Sequence, residues 1–184
     1  KDYVPVSSRP VGEMYAQLMG YINGFHNPYI KKLAESFFVE DEAFIKRFKA
    51  NSAAKSVHHG FMGGLLEHTV AVARLCEMLG TFYPVLNKDM LVLCALLHDI
   101  GKTREISLFP ANDYTDEGQL LGHIVIGVEM VDEKLRQIPD FPEKLAAEIK
   151  HCIVAHHGEY EYGSPKKPAL IEALVLSMAD NMDA

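Results

Sequence analysis

The sequence predicts an all-α protein built as one helical bundle. Apolar residues recur at three- and four-residue spacing in successive stretches from Val11 to Met182, the repeat that lays one face of a helix on a core. The 184 residues are 48% apolar, which suits one compact domain with a single core. Several long apolar stretches end in metal-binding side chains, at His98-Asp99, His156-His157 and Asp180. Convergent helix ends are a natural way to build a metal cup in such a bundle.

Lys1 to Pro10 has two prolines, two serines and no periodicity, so it reads as a linker or arm, and residues 11–184 as the domain. A first helix is expected from about Val11 to Ile22, with Met14, Tyr15, Leu18, Met19 and Ile22 at helical spacing. Gly24 and Asn27-Pro28 interrupt it, and a second, from about Pro28 to Phe38, turns Ile30, Leu33, Ala34 and Phe37 inward. Glu40, Asp41 and Glu42 put acids at the positive start of a third, beginning at Ala43. Leu65 to Leu79 carries His68 near its start, on an apolar face of Leu65, Leu66, Val70, Val72, Ala73, Leu75 and Met78. Lys88 to Ile100 follows the Tyr83-Pro84 turn and is stopped by Gly101. Thr103 to Gly118 reads as irregular, a loop able to act as a lid. Gly118 to Gln137 reads as one long helix carrying His123, with Leu120, Ile124, Val128 and Val131 on related faces. Pro142 to His156 and Ala169 to Met182 complete the bundle, separated by a polar loop from Glu159 to Pro168.

Composition narrows the function classes. There is no apolar stretch of membrane-spanning length and no signal-like start, so a soluble cytoplasmic protein is expected, with no membrane partner. Cys76, Cys94 and Cys152 are an odd number scattered on helical faces, which predicts buried, reduced thiols. A net charge of -7 speaks against broad nucleic-acid binding through this domain, because phosphate-backbone affinity needs clustered Lys and Arg. It leaves a nuclease open, since bound divalent ions supply positive charge locally. Lys46, Arg47, Lys49 and Lys55 form a modest basic cluster, a solvated face or a lip for substrate phosphates.

The chemistry gathers around Leu91-Val-Leu-Cys-Ala-Leu-Leu-His-Asp-Ile-Gly-Lys102, an apolar run that ends in an imidazole and a carboxylate, with an ammonium directly after. From one rigid turn, Asp99 can bridge two ions while His98 binds one. Further candidate ligands are His68, His123, His156, His157 and Asp180, each in or beside an apolar helical pattern. A histidine there can be satisfied by a backbone carbonyl, but an aspartate should be rare unless paired or metal-bound, so Asp180 is the most telling. His58 and His59 stand in a glycine-rich stretch that lets backbone approach the site, and can contact substrate or steady a ligand. Lys166 and Lys167, in the loop beside His156, are the best basic candidates for a substrate phosphate.

The order His68, His98-Asp99, Asp180 resembles the HD superfamily of metal-dependent phosphohydrolases, and His123 and His156 look like its two-metal members. The stretches His58 to Thr69, Leu97 to Lys102, Tyr114 to His123 and His156 to Pro165 resemble most closely the YhaM-type 3′-to-5′ exoribonucleases, also described as CMP-binding factors. That resemblance, running from about Ala53 to the last residue, implies an HD-domain bundle preceded in the family by an N-terminal OB-fold. None is read here, so the chain is expected to be an excised catalytic domain. It implies that His68, His98, Asp99 and Asp180 hold one ion and that Asp99, His123 and His156 hold another, with His157 as a ligand or a support. It also points to manganese. Some HD phosphodiesterases hold a third ion with an acid one helical turn before the first histidine; Gly64 stands there, so two ions are expected.

Four or more imidazoles with two carboxylates suit Mn(II), Fe(II), Co(II), Ni(II) or Zn(II) better than Mg(II) or Ca(II). A hydroxide bridging two such ions would attack phosphorus in line, with Lys102 stabilising charge or protonating the leaving 3′ oxygen. Acting at the 3′ ends of single-stranded RNA or DNA, it would release nucleoside 5′-monophosphates. The alternatives are an HD phosphatase or phosphodiesterase acting on a mononucleotide or cyclic nucleotide, and a noncatalytic nucleotide- or DNA-binding module. A homo-oligomer is left open.

Overall fold

The structure, a computed structural model, describes residues 3–56 and 59–184. Among these the fold is all-α: α1 Val11–Asn23, α2 Pro28–Phe38, α3 Glu42–Ala50, α4 Gly64–Phe82, α5 Lys88–Leu97, α6 Lys102–Glu105, α7 Asp116–Leu135, α8 Glu143–Val154 and α9 Ile171–Asp183. Extended pairing is limited to isolated bridges, Val6 with Met62 and Ile106 with Tyr114. The first bridge lays the N-terminal arm along the chain entering α4.

Local chemistry sets most starts. The side chains of Asn27, Asp41, Asn87 and Thr115 each accept a backbone N–H in the first turn of α2, α3, α5 and α7. They satisfy donors that have no partner within the helix. The acids before α3 are thus a cap, as the sequence suggested. At the centre is α5, every residue from Met90 to Leu97 buried and packed by α4, α9, α2 and α8. A helix apolar all round can only sit inside. Cys76, Cys94 and Cys152 lie free and buried around it.

Three expectations change. The stretch read as irregular contains α6, which starts directly after the His98–Gly101 turn. The long helix around His123 is broken at Gly122, whose φ of 75° and ψ of 161° re-aim the chain. Leu120, before the break, is therefore 82% exposed rather than facing the core. Met78 also leaves the buried face of α4, at 61% exposure.

The His98–Gly101 turn is pressed against α7. A Cβ on Gly101 would lie 1.9 Å from the carbonyl oxygen of His123, which is backbone and cannot swing aside. Gly64, at the start of α4, meets the carbonyl of His59 as closely. Gly101→Ala should therefore cost about 2 kcal/mol or more of stability. Gly20→Ala, in α1 where an added Cβ meets nothing within 4 Å, should stabilise by about 0.5 to 1 kcal/mol. Urea unfolding of the two metal-free variants checks both signs.

Candidate metal centre

Four helix ends deliver the polar groups. His68 comes from the second turn of α4, His98 and Asp99 from the turn after α5, His156 and His157 from the turn after α8, and Asp180 from the last turn of α9. His123 follows the break in α7, and the break is what turns its ring toward them. His98, Asp99 and His156 are almost fully buried, which for a lone carboxylate would be costly.

Asp99 stands between two groups of imidazoles. Its Oδ2 lies 3.5 Å from His68 Nε2, 3.4 Å from His98 Nε2 and 3.0 Å from Lys102 Nζ. Its Oδ1 lies 3.3 Å from His123 Nε2 and 3.5 Å from His156 Nε2. Asp180 Oδ1 closes the first group, 2.8 Å from His68 Nε2 and 3.4 Å from His98 Nε2. His157 joins the second, its donor atom lying with those of His123 and His156 within 4.8 Å of one another. Asp99 Oδ1, His123 Nε2 and His156 Nε2 are buried yet have no hydrogen-bond partner. Buried polar atoms are almost always paired, so three unpaired donor atoms facing one point suit a cation there.

The far side of each ring is pinned. His98 Nδ1 donates to the carbonyl of Ala95 at 2.7 Å, His156 Nδ1 to that of Ile153 at 2.6 Å, and His157 Nδ1 to that of Tyr162 at 2.8 Å. A carbonyl only accepts, so the proton sits on Nδ1 and Nε2 is turned inward. His68 Nδ1 donates to Asp183 Oδ2 at 2.7 Å, and His123 Nδ1 lies 3.4 Å from Glu105 Oε1. Asp183 also accepts from His59 Nε2 at 3.1 Å. His59, His68 and Asp183 form a third group of donors, but there the carboxylate already accepts from both imidazoles, and only His59 Nδ1, on the ring's other side, has no hydrogen-bond partner.

The electrostatics divide the two groups. Burial disfavours charge on His98, yet Asp99 and Asp180 outweigh it and lift the imidazolium to about 10. His68 is raised too, burial being overcome by hydrogen bonds to Asp180 and Asp183. Burial, helped by the neighbouring imidazoles, pushes His156 and His157 down, which favours their neutral forms. Burial would raise Asp99, but the Lys102 and His98 charges hold it well below the usual carboxylate range. Hydrogen bonds from His59 and His68 likewise outweigh burial and hold Asp183 at about 2.

The centre opens on a cleft of about 430 Å³, lined by His59, His68, Asp99, Lys102, Tyr162 and Asp180 among others. Of the substrate candidates, His59 lines it, Lys166 and Lys167 do not, and His58 lies outside the described residues. Lys167 pairs instead with Glu159 at 2.8 Å. Asp183, Glu105 and Tyr162 were not singled out from sequence. The i+3 spacing of Asp180 and Asp183 on one helix face was the only available signal for any of them.

A family model described as HD domain matches residues 65–184. The chain is 36% identical over 183 residues to the 3′-5′ exoribonuclease YhaM of Shouchella clausii (strain KSM-K16), and 35% identical to that of Bacillus subtilis (strain 168). These alignments cover 100% of this chain but only 56% and 57% of the two relatives, so the chain spans little more than half their length. No solved structure matches it. Among the described residues no helix is long and apolar enough to cross a membrane. With the match covering α4 to α9, and His68, His98-Asp99 and Asp180 all inside it, the chain belongs to the HD domain family.

Proposed function

We propose that this domain hydrolyses phosphodiesters with two divalent ions, as a 3′-to-5′ exoribonuclease releasing nucleoside 5′-monophosphates. The observation that carries the reading is the position of Asp99, one oxygen toward His68 and His98 and the other, unpaired, toward His123 and His156. His68, His98, Asp99 and Asp180 would hold one ion, and Asp99, His123 and His156 the other, with His157 close enough to join as a ligand. The RNA substrate is inferred from the relatives named as exoribonucleases. Nitrogen-rich donors favour a transition metal, and manganese is the ion proposed from the family resemblance.

Ions held there would acidify a water and neutralise charge on the phosphoryl oxygens. The chain's own part is to orient and to exclude competing chemistry. Lys102, held by Asp99 and with its pKa raised by that carboxylate against the opposing effect of burial, stays cationic at the cleft wall. It is placed to balance charge on the phosphate or to give a proton to the leaving 3′ oxygen. Among the described residues the three thiols are buried and none lines the cleft, nor does any serine or threonine hydroxyl, so attack on phosphorus by a thiol or an aliphatic hydroxyl is not served.

The test is single-stranded RNA labelled at the 5′ end, offered with Mn(II) beside a mononucleotide and a cyclic dinucleotide. Expected is a shortening ladder with 5′-monophosphate products, lost in EDTA and reduced at least a hundredfold in Asp99→Ala. Hydrolysis that persists in metal-free Asp99→Ala, or turnover confined to the mononucleotide or the cyclic dinucleotide, overturns the reading.

A second expectation concerns pH. With its pKa lifted to about 10, His98 carries a proton at neutral pH in the metal-free protein, and an incoming ion must displace it. Metal uptake should therefore release protons, and affinity should fall as pH is lowered from 8 toward 6, by roughly tenfold per unit for each proton displaced. Calorimetry in two buffers of different ionisation enthalpy counts those protons.

A further inference from the structure

The geometry points to Tyr162 as the platform on which the base of the 3′-terminal nucleotide stacks, an assignment that rests on the exonuclease reading above. The cleft volume of about 430 Å³ lies near the lower end of small-molecule sites, roughly 300 to 1,000 Å³. That is room for one nucleotide. In hydrolysis from the 3′ end, the terminal nucleotide is the one that must fit wholly inside. Apart from the imidazoles of the centre, Tyr162 is the one aromatic side chain among the residues lining this cleft, and it is 67% exposed.

The loop that presents it is built to stay in place. Tyr160–Tyr162 form a 3-10 turn closed by Gly163, whose φ of 87° favours glycine. Tyr162 N–H donates to Glu159 O at 3.1 Å, Ser164 N–H donates to the same carbonyl at 3.2 Å, and Ser164 Oγ stands within hydrogen-bonding distance of both Val154 O at the end of α8, at 2.8 Å, and Lys166 O, at 2.7 Å. The carbonyl of Tyr162 also holds His157 Nδ1. These ties all run through backbone or Ser164, so they survive changes in the tyrosine ring while fixing where it stands. Tyr160 is the other exposed aromatic of the turn, but the Lys167 ammonium lies 5.4 Å from its ring centroid and it does not line the cleft. An uncharged aromatic face carried on a tied backbone turn beside a phosphate-cleaving centre suits any base, because every base has a flat π surface. It gives grip without sequence preference, as trimming of RNA of any sequence requires.

The experiment compares single-stranded RNA ending in an intact 3′ nucleotide with the same oligomer whose 3′-terminal residue is abasic, using the Mn(II)-loaded protein. For the unsubstituted protein, removing the terminal base should lower kcat/KM by about 5- to 150-fold, the range that base–aromatic stacking supplies. In Tyr162→Ala the same removal should cost less than twofold, because no stack is left to lose, and Tyr162→Phe should behave like the unsubstituted protein. An equal abasic penalty in all three proteins, or no penalty in the unsubstituted one, overturns the stacking assignment while leaving the exonuclease reading intact. Failure of the unsubstituted protein to release any mononucleotide from the intact oligomer sinks both.

Discussion

A carboxylate whose side chain is 3% exposed, as that of Asp99 is, has lost nearly all its hydration. Moving such an ion into a low-dielectric interior costs several kcal/mol unless other charges replace the water. Here the replacements come from every side: Lys102 and His98 on the Oδ2 face, His123 and His156 on the Oδ1 face. The match is incomplete, because Oδ1 and the two facing nitrogens have no hydrogen-bond partner. An apolar side chain at this position would be less costly to bury, so the fold tolerates an unsatisfied anion at the end of its most buried helix. The site's affinity for cations is the counterpart of that cost.

The same local device aims the histidines. An α-helix ends with carbonyls that have no partner within it. After α5 and after α8, the carbonyl three residues back accepts the Nδ1 proton of His98 and of His156. One bond satisfies the helix end, fixes the tautomer and leaves Nε2 pointing beyond the helix. Two helices that terminate in this way need only converge to give two nitrogen ligands of set orientation. Where no carbonyl is in reach, carboxylates take its place: Asp183 behind His68 and Glu105 behind His123. A carboxylate also makes the imidazole a stronger base than a carbonyl would.

These two devices explain how far the sequence could be read. The helices were legible from periodicity because nearly all of them bury one face, and the dispersed His and Asp residues stood out because charge at the ends of apolar helices is rare. The bounds blurred where the chain turns at the site. His98 and His156 extend the apolar pattern of α5 and α8 but lie in the turns beyond, since their rings bond back to the helix. Gly122 was read through because a lone glycine in a helical pattern is usually tolerated, and nothing local distinguishes one that adopts a positive φ. Asp183 and Glu105 were missed for a different reason. Each supports a ring brought in from another element, a relation fixed by packing rather than by spacing. Lys166 and Lys167 lie close to His156 in the chain, yet the Gly158–Ser164 loop carries them away from the cleft, and Lys167 is spent on Glu159.

The two donor groups around Asp99 are not equivalent, and the difference follows from which helices supply them. α9 adds Asp180 to the His68–His98 side, so that side has two carboxylates and two imidazoles that hold protons when no cation is present. The His123–His156–His157 side has only the shared oxygen of Asp99, and the lowered His156 and His157 favour their neutral forms. A cation entering the first side would gain more Coulomb attraction but have to displace protons; one entering the second would meet less negative charge and the lowered imidazoles of His156 and His157. Occupancy of the first side should therefore depend steeply on pH, and occupancy of the second mainly on how soft the ion is. Because Asp99 faces both groups, a cation on either side would change the charge the other presents, and a single carboxylate would couple the two.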